Sequence, residues 1–214
     1  MKIDIWSDIG CPFCYLGTTQ LNEALAGFEH RERVEISHHS FQLDPNAPRQ
    51  TDMRVVEMLA NKRGIPVEQA EAMNQQVAKA FEASGLSMNY KEAQPVNTFD
   101  AHRLVHFAAS QGQQEAVLPR LFKAYFTDGE NTADVETLVR LASEAGLDAE
   151  QTRAMLASDQ YAAEVQADIS RAAQLGIHGV PFFIFEGKYA ISGAQGAEAF
   201  NRALQQVWEE VHSA

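Results

Sequence analysis

Cationic side chains are scarce in this sequence: 17 Lys and Arg stand against 29 Asp and Glu, for a formal net charge of -12. A surface of that sign repels phosphate backbones and anionic lipid, which argues against nucleic-acid and membrane partners. Long hydrophobic runs are missing too, since no stretch approaches the ~20 apolar residues of a spanning helix. The start, MKIDIWSDIGC, carries no apolar segment followed by a small-residue cleavage site. It does not read as a secretory leader, and a cytoplasmic setting is expected. Neither a fixed repeat period nor a low-complexity tract is present, which removes repeat arrays. Cysteine is nearly absent: there are two, both inside SDIGCPFCYLG, Ser7 to Gly17. In a reducing compartment such a pair is not a permanent staple and points to catalysis or metal binding.

What is present suits one domain with an insertion: 214 residues, of which 45% are hydrophobic, can bury a substantial core. KIDIW alternates apolar and polar residues as a strand does. A helix should follow from the cysteines to about Phe28, with Leu21, Leu25 and Phe28 at helical spacing. VEISHHSFQLDP, Val34 to Pro45, alternates again and stops at Asp44-Pro45. From about Arg54 to Gln174, alanine, glutamate, glutamine and leucine dominate, with breaks at Gly64-Ile65-Pro66, Gly85, Gln94-Pro95, Gly112, Gly129 and Gly146. This stretch predicts five to seven helices and no strand. VPFFIFE then reads as a buried strand, Gly187-Lys188 as a tight turn into the strand YAI, and Phe200, Leu204, Val207, Trp208 and Val211 as one apolar helical stripe. The order is βαβ, a block of helices, then ββα. It predicts an α/β protein whose small sheet is assembled from residues 1–50 and 175–214, with residues 51–174 as an inserted helical domain.

Pro12 suits the first helical position, where a missing N–H costs nothing. Cys11 then sits at the helix N-terminus, among unpaired N–H groups and the positive end of the dipole, a placement that favours thiolate. Cys14, one turn further, should be less exposed. The expected division of labour is that Cys11 attacks and Cys14 resolves the mixed disulfide, with no cofactor and no metal. Near the other end, HGVPFF places an X-Pro bond, Val180-Pro181, before a buried strand, which makes it a candidate cis peptide. In the inferred fold it faces Cys11, so that Pro181 packs against the sulfurs and the Val180 backbone offers hydrogen bonds to an extended substrate.

SDIGCPFCYLG, FQLDP, NTFDAHRL, GVPFFIF and ISGAQ, in that order, resemble the DsbA-like branch of the thioredoxin superfamily, and more closely its FrnE-like dithiol–disulfide oxidoreductases. The resemblance implies a thioredoxin-like fold with a large all-helical insertion, Cys11 as nucleophile, Cys14 as its partner and Pro181 in cis. It also implies an oxidoreductase or isomerase acting on protein or small-molecule thiols and disulfides, with glutathione as a conceivable co-substrate. Many relatives carry tryptophan or histidine where this chain has Phe13. An apolar ring gives the sulfur no charge, so the expected potential is less oxidising than the roughly -120 mV of the strong periplasmic oxidant. The alternative is a glutathione-dependent isomerase of the 2-hydroxychromene-2-carboxylate type, which shares the inserted fold but commonly has serine at the first cysteine position.

Other residues attract attention. His102 and His106 have the i, i+4 spacing of helix-borne metal ligands, but the gap from Cys14 disfavours zinc, and they are expected on a solvated face or beside the substrate. Asn97-Thr98 reads as a helix N-cap with Asp100 in the first turn. His178 precedes the candidate cis turn, Asp4 and Asp8 are possible proton carriers for Cys14, and Trp6 with Phe13 is a possible apolar rim. His38-His39 is expected to be structural.

Overall fold

The computed structural model describes residues 1–212. Strand β1 (Lys2–Ser7) runs into a short turn, helix α1 (Pro12–Ala26) and strand β2 (Glu35–Ser40). Seven helices follow: α2 (Val55–Arg63), α3 (Val67–Ala83), α4 (Phe99–Ser110), α5 (Gln114–Lys123), α6 (Val135–Glu144), α7 (Ala149–Leu156) and α8 (Ala162–Gln174). A π-helical segment, Ala124–Asp128, continues α5. The chain then forms β3 (Phe182–Phe185), β4 (Tyr189–Ser192) and α9 (Ala197–His212). The sheet order is β2-β1-β3-β4, with β1 parallel to β2 and antiparallel to β3.

Strand alternation explains the layering. Ile3 and Ile5 of β1, with Phe183 and Phe185 of β3, face a core that includes Leu21, Ala24 and Leu25 of α1 and Phe200, Leu204 and Val207 of α9. The opposite face carries Trp6, which packs with Ala172 of α8 and Ile177. Gly17 lets α1 lie close on the sheet: a Cβ there would stand 3.0 Å from Pro181 Cγ and 3.2 Å from Phe183 Cζ. The three-residue connection between β3 and β4 is left-handed at both Glu186 (φ 51°) and Gly187 (φ 64°), the central residues of a β-turn closed by the Lys188 N–H on the Phe185 carbonyl.

Three expectations need correction. β2 ends at Ser40 rather than running to Pro45, because the Phe41 N–H turns to the Ser7 carbonyl and the Leu43 N–H to the Asp8 carboxylate. Val211 is 45% exposed, although the rest of its stripe is buried. Thr98 does not cap α4 with its side chain; Asn97 Oδ1 accepts the Phe99 N–H at 2.9 Å instead, and Asp100 pairs with Arg103 and Arg49. Arg103 also donates to the carbonyls of Met155, Leu156, Ser158 and Gln160, fastening α4 to the end of α7.

Candidate active site

The turn between β1 and α1 is organised by Asp8. Its carbonyl accepts the Cys11 N–H at 3.1 Å, its Oδ1 accepts the Gly10 N–H at 3.3 Å, and its N–H donates to Cys14 Sγ at 3.4 Å. Cys11 is the N-cap residue of α1, extended at φ -101° and ψ 114°, with proline directly after it. Both sulfurs are free and both residues are buried. They differ in surroundings. Cys11 Sγ donates to the Val180 carbonyl at 3.5 Å and lies on the wall of a cavity of about 800 Å³, while Cys14 is not on that wall.

The Val180–Pro181 bond is cis, the Val180 carbonyl faces Cys11, and the Val180 N–H has no partner among the described residues. Pro12 and Phe13 also line the cavity, Phe13 with 46% of its surface exposed. Pro181 packs under α1 at Gly17. Six singled-out residues from two distant parts of the sequence, 11–14 and 180–181, thus lie together.

The electrostatics separate the two sulfurs. Burial, then the neighbouring Cys11 sulfur, push the Cys14 thiol well above its ordinary value, and the Asp8 charge adds to this against the Asp8 N–H. Cys14 is therefore a neutral thiol at rest. Burial would raise the Asp8 carboxyl, but His102, the Leu43 N–H and the Thr98 hydroxyl together hold it below the usual range. Tyr125, from the π-helical segment, lies close to Gly10. Burial, with the Asp8 charge, pushes its phenol up, so it stays protonated and can donate.

Several candidates fall elsewhere. His102 is buried and meets Asp8 Oδ1 at 3.3 Å. His106 reaches Asp168 Oδ2 at 3.1 Å and Ser40 Oγ at 3.2 Å. Neither lies on a solvated face, because the polar side of α4 packs on the sheet turn and β2. No cluster of three or more metal-ligating side chains occurs among the described residues. Asp4 binds His39 at 2.8 Å and Lys2 at 3.2 Å, with no bond to Cys14 among the described residues. Trp6 is fully buried, stacked on His39 at 4.3 Å between centroids, and is not a rim residue. His38 binds Glu115, and His178 is exposed. Tyr125, Met58, Met73 and Val77 also line the cavity, though nothing in the sequence marks them. Their spacing in the chain gives no signal, since α2, α3 and the π-helical segment come together only in the fold.

A family model described as a DSBA-like thioredoxin domain matches residues 2–205. The Bacillus subtilis protein YwbO is 28% identical over 210 residues, 95% of this chain and 96% of its own. Among solved structures, the probable DsbA oxidoreductase SCO1869 from Streptomyces coelicolor superposes with a TM-score of 0.93 at 45% identity, covering 98% of this chain and 91% of its own. The cytosolic disulfide reductase DsbM from Pseudomonas aeruginosa, solved with GSH, shares the fold with a TM-score of 0.65 at 18% identity, over 98% of this chain and all of its own.

Proposed function

The chain belongs to the family of DSBA-like thioredoxin domains, and from that premise we propose that it is a dithiol–disulfide oxidoreductase working through a mixed disulfide at Cys11. One observation carries the reading: of two adjacent free sulfurs, only Cys11 combines a helix N-terminus with a place on the cavity wall. The positive end of the α1 dipole, with the Phe13 N–H unpartnered among the described residues while those of Cys14 and Tyr15 go to the Cys11 carbonyl, suits the negative charge of an attacking sulfur. Cys14, held neutral, does not compete for the substrate.

In the reductive direction the Cys11 thiolate attacks one sulfur of a foreign disulfide, forming a Cys11–substrate bond and expelling the other sulfur as a thiolate. Cys14 then loses its proton and attacks Cys11 Sγ, which releases the second substrate thiol and closes the Cys11–Cys14 disulfide. Two protons leave the protein with the two product thiols. The oxidative direction is the reverse. Pro181 packs under α1 at Gly17, and Val180, on the cavity wall with its N–H unpartnered among the described residues, suits an extended substrate backbone. Phe13 and Pro12 form the apolar lip. No bound cofactor is needed, and glutathione enters this scheme as a co-substrate. The cytosolic reductase DsbM, with GSH bound, supports both that role and a cytoplasmic setting. The same scheme takes residues 51–174 as the inserted domain that selects substrates.

Cys11→Ser should abolish turnover of insulin disulfides, whereas Cys14→Ser should accumulate a mixed disulfide visible by mass spectrometry. Retained turnover in the double serine variant would refute the assignment.

A further inference from the structure

The cavity beside Cys11 is larger than sulfur exchange requires. Its ≈ 800 Å³ lies within the roughly 300–1,000 Å³ typical of small-ligand sites. Away from the sulfur its wall is mostly apolar, with Val55, Met58 and Leu59 of α2 and Met73, Val77 and Ala80 of α3. Two thioether side chains in such a wall adapt to flat or irregular apolar shapes.

Two polar groups interrupt the wall. The Tyr125 hydroxyl, on a residue 4% exposed, has no hydrogen-bond partner among the described residues. Asn74, 6% exposed, gives its amide N–H to the Ala70 carbonyl, which leaves Oδ1 unpartnered among the described residues. Neither oxygen is among the fully buried side-chain polar atoms that lack a partner, so both are open to the cavity and can bond what enters it. At the end of α2, Lys62 and Arg63 are the cations on the lining, and neither pairs with a carboxylate among the described residues. On a chain of net charge -12 this is a local concentration of cations. The acidic groups on the lining are Asp8, already occupied by His102 and backbone N–H groups, and Asp44, which accepts the Asn46 N–H.

We propose that this cavity selects a low-molecular-weight disulfide with an apolar, aromatic-sized body and a carboxylate, the body lying between α2 and α3 and the carboxylate at Lys62 and Arg63. The proposal rests on the exchange chemistry assigned to Cys11 and names its preferred partner. The overall step is balanced: enzyme dithiol plus disulfide gives enzyme disulfide plus two thiols, each taking one proton.

Two probes test it, 4,4′-dithiodibenzoate (aromatic and anionic) and cystamine (small, polar and cationic). The measured quantity is the ratio of their rates of oxidising the reduced protein, followed by alkylation of the remaining thiols. Taking a ratio within each variant cancels the differing intrinsic reactivity of the probes. The double variant Lys62→Glu/Arg63→Glu, on an exposed helix end that tolerates it, should lower the dithiodibenzoate-to-cystamine ratio about tenfold at low salt, with the effect shrinking at 1 M salt. Val77→Trp, which fills the space between α2 and α3, should lower it about fivefold. Oxidation by both probes with the ratio unchanged in the two variants would overturn the proposal and leave the Cys11 assignment standing. Failure of both probes to oxidise the wild-type cysteines would remove that assignment and the proposal with it.

Discussion

The two ends of α1 belong to different cores. Its first turns, with Cys11, Cys14 and Leu16, pack with Phe81, Leu104, Leu121, Phe122 and Phe126 of the inserted helices and the π-helical segment. Its last turns, with Leu21, Ala24 and Leu25, pack against the sheet and α9. The sulfurs are thus carried by the sheet's own helix but enclosed by the insertion. Tyr15 marks the transition: it follows Cys14 and stacks on Phe122 at 5.2 Å between centroids. Stability of the sheet and tuning of the sulfurs should therefore be separable by substitution.

The largest expected effects come from cutting each core once. Phe200→Ala, on α9, and Phe122→Ala, on α5, both empty fully buried sites and should each cost about 3–5 kcal/mol. Denaturant unfolding measures that loss. Single-turnover disulfide exchange on the folded fraction should then part them, with Phe200→Ala close to wild type and Phe122→Ala altered severalfold through Tyr15. Equal exchange rates in the two variants would mean that the division of α1 has no chemical consequence.

A smaller effect tests what joins the two regions. Asp4 and Asp168 each hold a nitrogen of His39, at 2.8 and 2.7 Å, and Asp168 also receives His106 from α4 and the Ser40 N–H. Burial opposes charge on the His39 ring, but both carboxylates raise it above its ordinary value; burial likewise opposes the two carboxylates, yet their partners lower them. A raised histidine stabilises fully below its unfolded value of about 6.5, and that contribution is lost as pH climbs through the folded value. The lowered aspartates stabilise above about 3.9, and theirs is lost as pH falls through the folded values. Asp168→Asn should cost about 3 kcal/mol between pH 4.5 and 6.5. The gap in melting temperature from wild type should narrow on either side of that window.

Much of this was legible beforehand because it is local. CPFC between a strand and a helix puts Cys11 at a helix N-terminus in any fold, and the glycine-marked breaks near Gly85, Gly112 and Gly146 coincide with ends of α3, α4 and α6. What was not legible depends on pairs far apart in sequence. His102 and Asp8 are 94 residues apart, and His39 and Asp168 are 129. Periodicity reported the polar side of α4 as polar, and a polar face buried against carboxylates carries the same pattern as one facing water. The cavity was hidden for the same reason, since half-buried apolar residues on α2 and α3 read as ordinary core.

The finest test lies inside the site. Asp8 reaches Cys14 in two ways, through a backbone N–H that favours the thiolate and through a buried charge that disfavours it. Asp8→Asn keeps the first and removes the second, at a cost of about 1–3 kcal/mol because the donors it serves lose part of their acceptor. In a Cys11→Ser background, with no second sulfur to compete, alkylation of Cys14 against pH should shift to lower pH in the Asn variant. Asp8→Glu, which keeps the charge, should leave the profile near its starting position, so that a shift confined to Asn marks the charge as a contribution added to that of burial. An unmoved profile in the Asn variant would assign Cys14's reluctance to ionise to its burial alone, and the sulfurs, which share one core, would then owe their difference to Cys11 lying on the cavity wall and Cys14 behind it.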